Sequence, residues 1–222
     1  MGEYSWRILF EMKTGQKGFV LAVTGGMASG KSTLSSLLRR HGAALLSLDE
    51  LAHSLYEPGS LVHRRLLAEF GKGVAGRGGY IDRNKLGQLV FSRPEALVRL
   101  NGIVHPALRS EAVAAINRMR LLHRLVIVET GPLLVRLNLQ GAVDGIVLVR
   151  ASRTERIRRL VAGKGLSRGE AVARLRATES EEKCLEAGIM KRPKNISVDT
   201  TGSAERMGSL ATRILGMVKQ WR

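Results

Sequence analysis

The chain has 222 residues, 44% of them hydrophobic, enough to bury a core and build one domain with subdomains. Its 36 lysines and arginines stand against 19 aspartates and glutamates, a formal charge of +17 that favours anionic ligands or nonspecific attraction to polyanions and says nothing of fold. One cysteine, Cys184, excludes an internal disulfide framework and fits a reducing compartment, and the sequence holds no zinc spacing and no apolar run of membrane-spanning length.

Residues 1–17 are mixed and polar and read as an extension ahead of the fold, without the apolar stretch and small-residue cleavage site of a signal peptide. The expectation is a soluble, cytoplasmic protein with no membrane partner. Phe19 to Val23 is a short apolar run. A glycine loop follows, then Lys31 to Arg40 with Leu34, Leu37 and Leu38 at helical spacing: strand, loop, helix. Gly42 stops that helix, and Ala43 to Leu48 is a second apolar run ending at Asp49.

Residues 55–123 have a helical pattern, broken at Pro58-Gly59, at the loop Gly71 to Gly79, at Pro94 and at Pro106. Leu125 to Val128 and Gly145 to Val149 read as buried strands, with a turn at Gly131-Pro132 between them. Residues 150–194 are a charged helical stretch with 13 Lys/Arg and 6 Asp/Glu. Ile196 to Val198 reads as a last short strand and Ala204 to Trp221 as a closing helix. Strands alternating with helices predict an α/β fold: a parallel sheet with helices on both faces, a three-layer sandwich.

The segment Gly25-Gly26-Met27-Ala28-Ser29-Gly30-Lys31-Ser32 fits G-x-x-x-x-G-K-[ST] without a mismatch. Its glycines let the backbone curl so that successive N–H groups face an anion, and the helix that follows adds its positive N-terminal end. Lys31 would reach the outer phosphates and Ser32 would place its hydroxyl on Mg²⁺. A chance glycine turn is the alternative, and the strand before and helix after weigh against it. Asp49, at the expected end of the second strand, could accept a hydroxyl proton or could simply cap the next helix. Glu129 ends its strand and could hold Mg²⁺ through water. The basic residues of 150–194 could close over phosphates or form a solvated helix face.

Several motifs in order resemble the dephospho-CoA kinase family: VTGGMASGKST, SLDELAHSLYEPGS, YIDRNKLGQLVFSRPEALVRLNGIVHPALR, GPLL, and RIRRLVAGKGLSRGEAVARL with EEK after it. The resemblance implies a P-loop fold with a helical acceptor-binding insertion and a helical lid. It divides the chain into an extension (1–17), a nucleotide-binding core (18–54, 124–149 and 195–222), an acceptor subdomain (55–123) and a basic lid (150–194). It implies that Gly25, Gly26, Met27, Ala28, Ser29, Gly30, Lys31, Ser32 and Thr33 bind ATP and Mg²⁺, with Ser32 on the metal. Asp49 matches the family's catalytic base, Arg159 its lid arginine, and His105 and Arg109 lie near the acceptor, where His105 binds or shapes the site and moves no proton.

The implied reaction is transfer of the ATP γ-phosphate to the ribose 3′-hydroxyl of dephospho-CoA, the last step of coenzyme A biosynthesis. No specific nucleic acid is expected as a partner, and no oligomeric state is indicated. Some positions depart from the family pattern. Ser47 replaces an Asp, Arg136 an acidic residue, Arg156 and Thr178 glutamines, Gly163 a second lid arginine, and Thr200 falls near an expected Asn. Two other readings stay open: a P-loop kinase of another small acceptor such as a nucleoside monophosphate, or a non-catalytic nucleotide-binding protein with a basic RNA- or partner-binding surface.

Overall fold

In the computed structural model, β1 (Phe19–Gly25) lies at the centre of a parallel sheet ordered β2-β3-β1-β4-β5, with β2 (Ala44–Ser47), β3 (Leu125–Glu129), β4 (Gly145–Arg150) and β5 (Asn195–Asp199) around it. The structure describes residues 17–91, 93–189, 194–202 and 204–221. The extension expected at 1–17, apart from Lys17, lies outside them, as do residues 190–193 of the basic MKRPKN segment.

All seven residues of β1 are buried, which is the pattern of a parallel strand covered on both faces and the reason it reads as an unbroken apolar run. Phe19, Leu21 and Val23 point to one side, with Leu125, Ile127, Val147 and Val149 beside them. On that side lie α1 (Lys31–Arg40) through Leu34 and Leu38, and α9 (Ala204–Trp221) through Leu210, Ile214 and Val218. Fully burying a side chain of this size contributes about 1.5–3 kcal/mol. The alternate residues Val20, Ala22, Val126, Val128, Ile146 and Leu148 are buried on the other face, where α8 (Arg168–Ile189) packs against β4 and against the short α6 (Leu133–Arg136). With α7 (Arg153–Lys164), these elements make up the first of two compact units, the described residues among 17–47 and 115–221.

The second unit is residues 48–114. It holds α2 (Leu48–Ser54), α3 (Leu61–Phe70), α4 (Arg83–Phe91) and most of α5 (Pro94–Leu122). Val62, Leu66, Val74, Ile81, Leu86, Val90, Ala96 and Val104 form its own core. Ser60 caps α3 by accepting from the His63 N–H at 3.0 Å. Buried His63 donates from Nε2 to Gly79 O at 2.7 Å, anchoring the loop 71–79.

Two sequence expectations need correction. The second strand stops at Ser47, not Leu48, because α2 begins there; Asp49 therefore sits in the first turn of a helix, neither at a strand end nor at a cap. The break expected at Pro106 is absent, and α5 runs through it from Pro94 to Leu122. The Pro106 ring is exposed, one backbone bond is forfeited, and buried Val104, Leu108 and Ala112 on either side hold the helix together.

Candidate active site

The loop between β1 and α1 is held from outside by side chains. Lys31 Nζ donates to Gly26 O at 2.7 Å, Arg156 Nε to Met27 O at 2.7 Å, Arg159 Nη1 to Ala28 O at 3.2 Å, and Thr200 Oγ1 to Ser29 O at 2.5 Å. Successive carbonyls are thus satisfied at the rim, so the loop keeps a shape in which N–H groups can turn to an anion. Ala28 takes φ 57, a left-handed conformation rare for a residue with a Cβ. Gly30, at φ 94, is the residue before α1; a Cβ there would lie 2.9 Å from Arg159 Nη1 and 3.0 Å from Thr200 Oγ1. Close packing and backbone conformation both require glycine at this position.

Lys31, Ser32 and Thr33 form the first turn of α1, directly after the loop. Ser32 Oγ donates to Glu129 Oε1 at 2.5 Å. The donation turns the hydroxyl lone pairs away from the carboxylate and leaves them for a cation. Among the described residues, no group of three or more His, Cys, Asp or Glu is gathered for a metal. A hydroxyl with one carboxylate still suits Mg²⁺, which keeps much of its water and shares phosphate oxygens. Glu129 was visible in the sequence as the acidic end of its strand; its pairing with Ser32 was not.

Arg159 is 21% exposed and fully engaged. Besides Ala28 O it donates to Thr200 O at 2.6 Å, to Thr200 Oγ1 at 3.1 Å and to Glu155 Oε1 at 2.8 Å. Hydrogen bonds from Arg158 and Arg159 hold the Glu155 carboxyl down at about 2. Helices α7 and α8 also pack on the loop, where Met27 and Ala28 lie against their Leu160, Ala171 and Leu175. Thr200, a mere departure in the sequence, is a buried linchpin that joins the loop to the end of β5. Its signal was invisible because its partners Ser29 and Arg159 are 171 and 41 residues away.

In the second unit, Asp49 is exposed beside Glu50 at the start of α2. His105 and Arg109 are one turn apart on α5, which puts them on the same face of the helix. A cleft of about 370 Å³ in this unit is lined by Glu50, His53, Tyr56, Tyr80, Ile81 and Arg83, among others. Burial raises the Tyr56 hydroxyl pKa, partly offset by Arg83.

A phosphate loop that leaves the central strand of a parallel sheet and opens a helix defines a P-loop nucleotide-binding protein of the small-kinase type. The dephospho-CoA kinase (CoaE) family model matches residues 19–191, and the chain belongs to that family. It is 35% identical to the dephospho-CoA kinase of Carboxydothermus hydrogenoformans, over 91% of this chain and 94% of that protein. It is 36% identical to the dephospho-CoA kinase of Geobacter sulfurreducens, over 85% and 92%. A crystal structure of a Thermus thermophilus protein superposes with a TM-score of 0.72 at 35% identity, covering 91% of this chain and 98% of that one. Among the described residues no helix is long and apolar enough to cross a membrane.

Proposed function

We propose that the chain catalyses its family's reaction, phosphorylating the ribose 3′-hydroxyl of dephospho-CoA with ATP. The observation that carries this reading is the family match over residues 19–191 together with the side-chain-braced loop. Gly25 to Thr33 cradle the triphosphate. Lys31 exchanges its bond to Gly26 O for the outer phosphates, and Arg159 gives the loop a fixed positive neighbour. Ser32 and Glu129 hold Mg²⁺, which when bound neutralises charge on the β- and γ-phosphates.

Asp49 accepts the proton of the 3′-hydroxyl as that oxygen bonds to the γ-phosphorus and the bond to the β,γ-bridging oxygen breaks, releasing ADP. His105 and Arg109 bind the acceptor, whose own phosphates suit a basic surface. Positioning and electrostatics carry most of the rate, because phosphoryl transfer needs little covalent help. The exposed Cys184 fits a reducing compartment, and the proposed location is the cytoplasm. The test is formation of CoA from dephospho-CoA and ATP-Mg²⁺ by the purified, folded chain. Absence of product would overturn the proposal.

A further inference from the structure

Lid helices α7 and α8 grip the phosphate loop at one residue, Met27. Arg156 Nε donates to Met27 O at 2.7 Å, while the Met27 N–H donates to Glu182 Oε1 at 3.3 Å. The two side chains are joined in turn, Nη1 to Oε2 at 2.8 Å and Nη2 to Oε1 at 2.5 Å. Thr178 Oγ1 donates to the same Oε1 at 3.1 Å. The pair is mostly buried, with Arg156 15% and Glu182 18% exposed. It sits so close that a Cβ on Gly26 would collide with the Glu182 carboxylate. A carboxylate thus lies against the wall of a loop shaped to hold an anion, and its charge opposes that of any phosphate bound there. The bidentate guanidinium cancels it.

We infer that Arg156 is a positioning residue for the nucleotide: it neutralises Glu182 and, with it, fixes the backbone C=O and N–H of Met27. The inference rests on ATP as the ligand of the loop and is independent of the acceptor. Its two halves carry opposite signs. Arg156→Gln leaves a bare carboxylate beside the loop. Glu182→Gln keeps an acceptor for the Met27 N–H and for Thr178, and leaves the cation without its counter-ion. A purely structural ion pair behaves differently, since breaking it from either side damages the same contact.

The experiment is direct titration of ATP and of ADP into the full-length chain and its variants at low and high salt, without acceptor. Arg156→Gln is expected to raise the ATP Kd roughly 5- to 30-fold, an effect that shrinks as salt rises. Glu182→Gln leaves the Kd unchanged or lowers it by up to about 5-fold. The double variant buries neither charge, folds even where Arg156→Gln alone does not, and returns to within about 3-fold of the parent. Both single variants weakening ATP alike, Arg156→Gln leaving Kd unmoved, or a double variant as weak as Arg156→Gln each overturn the inference. A chain that binds ATP in this pattern yet makes no CoA would overturn the proposed reaction and leave this inference standing.

Discussion

Ser32 Oγ donates to Glu129 Oε1 across 2.5 Å, joining the first turn of α1 to the last residue of β3. If this pair holds Mg²⁺, Glu129→Ala raises the Mg²⁺ concentration needed for half-maximal transfer by roughly 10- to 100-fold, while metal-free ATP binding barely changes. The measurement is transfer rate against free Mg²⁺ at fixed ATP. An unchanged Mg²⁺ dependence would remove Glu129 from the metal site.

Asp49 carries the proton in the proposed reaction. Asp49→Asn keeps the size and polarity of the side chain but cannot accept that proton. Turnover is expected to fall about 10²- to 10⁴-fold with the ATP Kd held within about 2-fold. A variant that turns over near the parent rate shows that another group, or water, takes the proton.

Thr200 is 4% exposed, and its hydroxyl both donates to Ser29 O and accepts from Arg159. Thr200→Val leaves the Ser29 carbonyl buried without that donor. The expected cost is about 1–3 kcal/mol, read as a lower urea midpoint at unchanged slope. ATP affinity falls with it, because the same bond shapes the loop. A loss of stability with unchanged affinity would mean that the loop keeps its form without Thr200.

Glu155 gives a pH signature. Its carboxyl titrates at about 2 in the folded chain against 4.5 ordinarily, so the charged form is favoured by folding. The stabilisation is therefore complete above about pH 4.5 and is lost as pH falls towards about 2. In urea titrations the gap between the parent chain and Glu155→Gln should be constant from pH 7 to 5 and narrow below 4.5. A gap that widens on acidification would contradict the assignment.

Much of this architecture is legible in the residue order. Lys31–Arg40 and Ala204–Trp221 match the helices read from periodicity, because a glycine loop or turn bounds α1 and both helices bury a strong apolar stripe. The parallel sheet follows from apolar runs alternating with helical segments. Local pattern fails where distant packing decides. Pro106 reads as a break because sequence cannot show that Val104 and Leu108 are buried on either side of it. The phosphate loop is plain as a motif, yet its braces Arg156, Arg159 and Thr200 come from 129, 131 and 171 residues further along, where the family resemblance marks Arg159 as a lid arginine and the other two only as departures, and the spelling shows none of their bonds to the loop.

That separation orders events during synthesis. The loop residues are among the first of the fold to leave the ribosome, while the hydroxyl that bonds Ser29 O is among the last. A nascent chain ending before residue 200 carries the complete Gly25–Ser32 motif and an incompletely braced loop. Nucleotide capture by ribosome-bound chains of increasing length should therefore appear late and abruptly, and it reports completion of the domain, not emergence of the motif.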